Sequence, residues 1–287
     1  MTDDGRPAVR LTGFVSEGFS FTVQDDGPID GPVVIALHGF PQTSASWSRV
    51  TPLLVQAGYR VLAPDQRGYS AAARPQEVGA YAMGSLAADV LALADAAGAS
   101  RFHLLGHDWG AAVAWTLAGR HADRVASLSA VSVPHPAALS RALAGPQLLR
   151  SWYIGLFQLP RLPELLLRLH SGAFARRLLA GTGMRSVDDA VRLLADPRTA
   201  TATLHWYRAL RLRGQLHAGR IRVPTLFVWS DGDTAIGRRA AEGAADFVLA
   251  PYRFEVLTGA SHWIPEERPA ELAARVLAHL AANPITG

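Results

Sequence analysis

One segment of the sequence has the residue types and spacing of a nucleophile held on a sharp turn. It is Gly106-His107-Asp108-Trp109-Gly110, which follows one apolar run and precedes another at 111–115. A strand, a turn with glycines two residues either side of its central residue, and then a helix together expose a reactive side chain above a sheet edge. A glycine-rich turn merely capped by Asp108 would not need both flanking elements. The pattern therefore predicts that the Asp108 carboxylate is a nucleophile.

A carboxylate nucleophile restricts the reaction that follows. It is already ionised at neutral pH, and it can displace a leaving group from saturated carbon to form an alkyl ester. Hydrolysis of that ester needs an activated water and donors that stabilise an oxyanion. A leaving alkoxide also needs a proton, whereas a leaving halide needs only hydrogen-bond donors. The rest of the chain must therefore supply a base and oxyanion donors, and an acid where the leaving group is an alkoxide.

The elements that position these groups belong to an α/β fold with a mostly parallel, doubly wound sheet. Short apolar runs alternate with segments of helical period, which is typical of such a sheet with helices on both faces. Buried strands are predicted at 33–37, 60–63, 102–105, 225–229 and 253–257. The alternation stops after Val133, and only helical patterns occur from His135 to about Gly214. We therefore expect a core of residues 1–134 and 215–287 with an inserted helical cap, 135–214.

Together with His38-Gly39-Phe40-Pro41, the segment 106–110 resembles the α/β-hydrolase superfamily, in particular its epoxide hydrolases and its haloalkane and haloacid dehalogenases. The resemblance extends from about Gly18 to Pro284 and includes the loop 65–70. It implies that the backbone N–H groups of Phe40 and Trp109 form the oxyanion hole. It also implies a cis peptide before Pro41, and it places His38 in a loop beside the substrate.

The resemblance indicates where the base and its orienting acid lie. The family order is nucleophile, acid, histidine, and His262 follows the last predicted strand and precedes the final helix, so it is the expected base. The acid should follow the strand 225–229, where both Asp231 and Asp233 are found. Family spacing favours Asp233 and leaves Asp231 to form the turn, although Asp231 stays an alternative.

The cap contains two segments, 152–160 and 204–208, that resemble those presenting a tyrosine pair in epoxide hydrolases. The resemblance implies that Tyr153 and Tyr207 hydrogen-bond the opening oxirane oxygen and protonate it. The alternative is that both rings only pack an apolar cap. Further apolar residues are expected to bind the substrate, namely Trp152, Phe157, Trp206 and Trp263.

The predicted function is that of an epoxide hydrolase that converts a hydrophobic epoxide to a vicinal diol. A dehalogenase that uses the same Asp108 ester is the first alternative. Tryptophan, which follows the nucleophile here as Trp109, also follows it in haloalkane dehalogenases. The haloacid branch usually has arginine at that position, so Trp109 counts against a carboxylate-bearing substrate. The second alternative is a non-catalytic small-molecule receptor on the same scaffold, against which the complete nucleophile, base and acid set argues.

Composition excludes several other classes. The chain has no cysteine, and it shows no metal-ligand cluster or dinucleotide motif, so we expect no metal and no cofactor. All 28 basic residues are arginine and the net charge is +4. They are scattered, although 14 fall within 137–222, and no nucleic-acid partner is expected.

The sequence also gives an expectation for location. No apolar run approaches the roughly 20 residues that a membrane helix needs. The opening MTDDGRPAVR is not typical of a signal peptide, so a cytoplasmic protein is expected. The sequence is compatible with a homodimer and contains nothing that requires one. The expected partners are a hydrophobic epoxide and water.

Overall fold

The computed structural model describes residues 9–285, and its centre is one eight-stranded sheet. The strands are β1 (Gly13–Ser16), β2 (Phe19–Asp26), β3 (Val33–Leu37), β4 (Arg60–Pro64), β5 (Phe102–His107), β6 (Val125–Val131), β7 (Thr225–Ser230) and β8 (Tyr252–Leu257). Their order is β1-β2-β4-β3-β5-β6-β7-β8. The pairs β1–β2 and β2–β4 are antiparallel, and the others are parallel. The predicted fold class is confirmed, and the antiparallel pair β1–β2 is an addition to it.

Helices cover both faces of the sheet, which explains why the central strands are apolar along their whole length. The core helices are α1 (Thr51–Gln56), α2 (Met83–Ala96), α3 (Trp109–Arg120), α10 (Arg238–Glu242), α11 (Ile264–Glu267) and α12 (Pro269–Ala281). Short 3₁₀ helices occupy Ser44–Trp47, Val78–Tyr81 and Gly243–Phe247. Alternate residues of β3 point to opposite faces of the sheet. On one face, Ile35 and Leu37 pack in the apolar cluster that contains α2 and α3. On the other face, Val34 and Ala36 pack in the apolar cluster that contains α1 and α12.

Six helices lie between β6 and β7, where the sequence predicts the cap. They are α4 (Pro136–Ala142), α5 (Gln147–Arg150), α6 (Trp152–Phe157), α7 (Leu162–Ala180), α8 (Val187–Ala195) and α9 (Pro197–Ala209). A kink at residues 169–172 interrupts α7. The His135 ring stacks on Phe247 of the core at 4.5 Å between centroids, so the start of this insertion already packs on the core. The division into core and a cap of residues 135–214 stays a proposal.

Some sequence expectations fall partly outside the described residues. Residues 1–8 belong to the predicted core segment 1–134 and to the opening MTDDGRPAVR, and residues 286–287 belong to the predicted core segment 215–287. Both stretches lie outside the part of the chain that the structure describes. Within residues 9–285, no helix is both long enough and apolar enough to cross a bilayer. The carboxyl ends of β3, β5, β7 and β8 meet at one edge of the sheet, which is where open α/β sheets bind ligands.

Candidate active site

Asp108 occupies the sharp turn between β5 and α3. Its backbone has φ 52° and ψ −120°, which a residue with a side chain rarely adopts. The flanking glycines are required because the chain doubles back tightly. A Cβ on Gly106 would lie 2.4 Å from the Gly110 carbonyl oxygen, and one on Gly110 would lie 2.1 Å from that of Leu37. The predicted strand–turn–helix geometry at Asp108 is therefore present.

The loop after β3 brings a backbone donor to the Asp108 carboxylate. The Phe40 N–H donates to Oδ1 of Asp108 at 2.8 Å. Gly39 permits this approach, since a Cβ there would lie 2.3 Å from that of Asp108. The Phe40–Pro41 peptide is cis, as the resemblance implied. Trp109 is the first residue of α3, so its N–H is at the helix N-terminus, where backbone N–H groups lack partners within the helix. An oxyanion hole formed by these two N–H groups stays a proposal.

His262 and Asp233 complete a hydrogen-bonded series with Asp108. Nδ1 of His262 donates to Oδ2 of Asp233 at 2.7 Å, and Nε2 faces Oδ2 of Asp108 at 3.4 Å. Asp233 is buried, and its Oδ1 accepts the N–H groups of Ala235 and Ile236 at 2.7 and 2.8 Å. Hydrogen bonds to both oxygens thus hold the Asp233 carboxylate in one orientation, and this carboxylate in turn orients the His262 imidazole.

Asp231, the alternative acid, has a different role in the structure. Its side chain is exposed and accepts the N–H of Gly259 at 2.7 Å, so it joins the turn after β7 to the turn after β8. Because Asp233 and not Asp231 contacts His262, the geometry favours the expected choice.

The charges of the three side chains reinforce one another. Burial alone lowers the pKa of His262, but the charges and hydrogen bonds of Asp233 and Asp108 outweigh it and raise that pKa to about 10. Burial raises the pKa of Asp108, but the hydrogen bond and charge of His262 prevail and hold it below its usual range. The resting site therefore contains an ionised Asp108 beside a protonated His262.

Two buried side chains hold the backbone of His262, and sequence reasoning missed both roles. Nε2 of His107 lies 3.0 Å from the His262 carbonyl oxygen, and the Ser132 hydroxyl donates to the same oxygen at 2.7 Å. Burial lowers the pKa of His107 to about 4, so this ring is neutral. The position of His107 in the elbow segment was a usable signal, whereas Ser132, just after β6, stands in no recognisable motif.

Tyr153 on α6 and Tyr207 on α9 lie side by side in the cap, with ring centroids 6.0 Å apart. Burial raises the pKa of both phenols, and the negative charge of Asp108 raises it further. The Trp109 indole packs edge-on against the Tyr207 ring, with ring centroids 4.9 Å apart. Since their pKa values are raised, both phenols are protonated at neutral pH and have a proton to give.

Two apolar cavities meet at these groups. One has a volume of about 270 Å³ and the other about 90 Å³. Both are lined by Asp108, Tyr153, Tyr207, Ala235 and His262. A groove of about 750 Å³ lies elsewhere, between the loop 41–49 and the cap residues 185–193, and Asp108 does not line it. We assign the two smaller cavities to the candidate active site, because only they contain the reactive groups.

Two of the predicted substrate-binding aromatic residues line the smaller cavity. Phe157 is buried in its wall, next to Tyr207 at 4.9 Å between ring centroids. Trp263 follows His262 and lies in the same wall, where its indole N–H donates to the Thr182 hydroxyl at 2.9 Å.

Three other predicted substrate-binding residues line neither cavity, and these predictions need correction. His38 is completely buried behind the loop, where Nδ1 contacts the Gly39 carbonyl at 3.0 Å and Nε2 accepts the Gln66 N–H at 3.1 Å. Trp152 is 53% exposed, because its side chain leaves α6 in a different direction from that of Tyr153. Trp206 donates to the Arg67 carbonyl at 2.8 Å and packs the base of the cap.

A buried carboxylate connects the cap to the core near this site. Glu266 on α11 accepts the side-chain N–H of Gln42 at 2.6 Å and the backbone N–H groups of Arg185 and Ser186 at 3.1 and 3.3 Å. The Ser186 hydroxyl also donates to it. Glu266 therefore joins the loop that carries Phe40, the segment before α8 and the helix after His262. Within residues 9–285, no group of His, Asp or Glu side chains is arranged to hold a metal ion.

Comparison with known proteins agrees with the fold. The family described as alpha/beta hydrolase fold matches residues 32–269, so the chain belongs to that family. The chain is 35% identical to epoxide hydrolase A of Mycobacterium tuberculosis, over 96% of this chain and 98% of that protein. It is also 35% identical to epoxide hydrolase 3 of Xenopus tropicalis, over 89% and 73% of the two chains.

A solved structure gives the same result. Epoxide hydrolase A from Mycobacterium thermoresistibile superposes with a TM-score of 0.81 at 30% identity, and covers 96% of this chain and 98% of its own. Within the α/β-hydrolase family, the chain therefore belongs with the epoxide hydrolases, which confirms the family prediction. It is an enzyme of the hydrolase class.

Proposed function

We propose that this protein hydrolyses a hydrophobic epoxide to a vicinal diol through a covalent ester of Asp108. One observation carries the proposal: the Asp108 carboxylate, the His262 imidazole and two phenols line the same two apolar cavities. A nucleophile, a base and two proton donors are what epoxide hydrolysis through an ester requires.

In the first step, a carboxylate oxygen of Asp108 attacks one oxirane carbon, and the C–O bond to that carbon breaks. Oδ1 already accepts the Phe40 N–H, so we assign the attack to Oδ2 and the later carbonyl oxygen to Oδ1. The electron pair of the broken bond goes to the oxirane oxygen. Tyr153 and Tyr207 hydrogen-bond this oxygen, and one of them protonates it, which leaves a phenolate and a hydroxyalkyl ester.

In the second step, water attacks the ester carbonyl carbon while Nε2 of His262 removes a proton from it. The Phe40 and Trp109 N–H groups stabilise the oxyanion that forms on Oδ1. Collapse of this intermediate releases the diol and restores the carboxylate. His262 is protonated in the resting enzyme, so it first gives its proton to the phenolate and becomes neutral. The proton that it then takes from water restores its resting state, and the remaining water proton passes to the departing alkoxide, so charge and atoms balance over the cycle.

Esterification itself prepares His262 to act as a base. In the resting enzyme, the charges of Asp233 and Asp108 both raise the pKa of His262. The ester carries no charge, so the contribution of Asp108 disappears and the pKa falls. Asp233 keeps the correct tautomer, with the proton on Nδ1 and the lone pair on Nε2 facing the ester.

The site also bears on the dehalogenase alternative. A departing halide needs only hydrogen-bond donors, whereas a departing alkoxide needs a proton. Two buried phenols beside Asp108, both with raised pKa values, are suited to give that proton. The proposed partners are the epoxide and water, while a homodimer and a cytoplasmic location stay predictions.

The test is to trap the ester with the variant His262→Gln. Alkylation does not need the base, so the variant should accumulate one adduct per chain when it is mixed with a hydrophobic epoxide. Intact-mass spectrometry should show an increase equal to the whole epoxide, and peptide mapping should place it on Asp108. A haloalkane that reacts by the same route increases the mass by that of the haloalkane minus that of the hydrogen halide released.

The matched control is the double variant Asp108→Ala, His262→Gln, which should gain no mass. Absence of an adduct in the single variant, with epoxide binding shown by calorimetry, contradicts the ester mechanism. An adduct with haloalkanes and none with epoxides supports the dehalogenase alternative instead.

A further inference from the structure

The reactive groups lie at the junction of two cavities of unequal size, not at the closed end of one. The cavity of about 270 Å³ and the cavity of about 90 Å³ share the side chains of Asp108, Tyr153, Tyr207 and His262. A bound oxirane ring held by these groups therefore has space on two sides.

The larger cavity is apolar where it leaves the junction. Its walls include Met83, Ala112, Val133, Leu139, Leu143 and Leu216. Gln215 also lines it, but Oε1 accepts the Met83 N–H at 2.7 Å and Nε2 donates to the Arg213 carbonyl at 3.3 Å. Since these amide atoms already have partners, the wall offers an organic substituent mainly apolar contact.

The smaller cavity is apolar for a similar reason. Its walls beyond the junction include Phe40, Phe157, Leu178, Leu179 and Trp263. The Thr182 hydroxyl also lines it, but it donates to the Leu179 carbonyl at 2.6 Å and accepts the Trp263 indole N–H at 2.9 Å. A terminal epoxide, which has hydrogens in place of a second substituent, would leave this apolar space unfilled.

We propose that the substrates of this enzyme are epoxides with apolar substituents of unequal length on both oxirane carbons. This inference rests on the proposed epoxide hydrolase function and specifies its substrate class. At roughly 30 Å³ per water-sized group, the smaller cavity holds about three non-hydrogen atoms and the larger about nine. Burial of each added methylene in the smaller cavity strengthens transition-state binding by roughly a factor of four.

The experiment measures kcat/KM for diol formation over a series of epoxides with one heptyl substituent. The second substituent is hydrogen, methyl, ethyl, propyl or hexyl, and each epoxide with two alkyl substituents is measured in the cis and the trans form. For at least one of these geometries, we expect kcat/KM to rise at least tenfold from hydrogen to ethyl or propyl and to fall again for hexyl. A kcat/KM for the terminal epoxide that exceeds every value in both the cis and the trans series overturns the inference.

Two matched variants test which cavity holds the shorter group. Leu179→Phe narrows the smaller cavity, so the ratio of kcat/KM for the propyl epoxide to that for the terminal epoxide should fall at least tenfold. Leu139→Phe narrows the larger cavity, which holds heptyl in both substrates, so it should lower both values together and change the ratio less than threefold. Equal ratios in the two variants contradict the assignment.

These outcomes are separate from failure of the proposed function. Turnover of the terminal epoxide, or its adduct on Asp108 in His262→Gln, shows epoxide opening whatever the order within the series. If no epoxide is turned over and no adduct forms, the proposed function fails and this inference fails with it.

Discussion

Nε2 of His262 lies 3.4 Å from Oδ2 of Asp108, on the side of the imidazole ring opposite Asp233. One ring therefore lies between two buried carboxylates, of which only Asp108 loses its charge during the proposed reaction. This relationship makes the protonation of His262 depend on the state of the nucleophile.

The first prediction concerns that dependence. The pKa of His262 is raised to about 10 in the resting enzyme, so the ring is protonated below that pH. Asp108→Asn removes one of the two charges, as esterification does, and should lower this pKa. Titration of the His262 ring by NMR measures the change, with the exposed His170 and His217 as internal references. An unchanged pKa means that Asp108 does not control the base.

The same reasoning gives the pH dependence of the two steps. Alkylation needs ionised Asp108, whose pKa is lowered, and protonated tyrosines, whose pKa values are raised. Its rate should therefore be flat between about pH 5 and 9. Ester hydrolysis needs neutral His262, so its rate should rise with pH and level off below pH 10. Stopped-flow tryptophan fluorescence resolves the two phases. Parallel profiles of the two rates would contradict these roles.

The second prediction distinguishes the two aspartates after β7. Asp233→Asn should lower kcat by on the order of 10³–10⁴, because the imidazole loses its orienting carboxylate. Asp231→Asn changes an exposed side chain that accepts the Gly259 N–H away from His262, so kcat should stay within about threefold. Steady-state diol formation by both variants is the measurement. Similar losses in the two variants would remove the reason to prefer Asp233.

The third prediction concerns the tyrosine pair. The phenols act on the leaving oxygen, so their loss should slow alkylation more than it weakens binding. Tyr153→Phe or Tyr207→Phe alone should cost about tenfold, because one phenol partly replaces the other. The double variant should lose roughly 10²–10⁴-fold. Rapid-quench alkylation measures this, and ester hydrolysis in the same variant serves as the control because it should change little. Alkylation near the wild-type rate would leave both rings as packing residues.

The fourth prediction concerns the connection through Glu266. Glu266→Ala leaves the Gln42 amide and the Arg185 and Ser186 N–H groups without their acceptor. The free energy of unfolding should fall by about 1–3 kcal/mol, measured by urea denaturation. Hydrogen exchange should accelerate most at residues 182–190. Glu271→Ala, on an exposed position of α12, is the control and should have little effect. Equal effects of the two substitutions would mean that Glu266 is not a connection of this kind.

The part of the site that the sequence predicts well is the part that local chain geometry determines. Asp108 is recognisable because the strand, the two glycines and the helix that hold it are adjacent in sequence. Phe40 and His262 likewise follow predicted strands, and the parallel sheet brings those strand ends to one edge. The choice of Asp233 over Asp231 as the orienting acid could be made only from the spacing in the family.

The remaining features depend on side-chain direction and on contacts between distant residues. Neighbours on a helix leave it about 100° apart, so the pattern around 152–153 could not show that Tyr153 faces the cavity and Trp152 faces solvent. Ser132 reaches the His262 carbonyl across 130 residues, and Gln42 reaches Glu266 across 224. No spacing rule encodes such contacts. The two unequal cavities arise from several helices at once, so only the folded structure shows them.

The backbone of Asp108 implies that this enzyme is less stable than its fold allows. A φ of 52° at a residue with a side chain costs on the order of 1–3 kcal/mol, and glycine at the same position would relieve most of it. Asp108→Gly should therefore melt at a higher temperature than Asp108→Ala while both are inactive. The difference in melting temperature between these two inactive variants would then measure the strain that this turn imposes on any residue with a side chain.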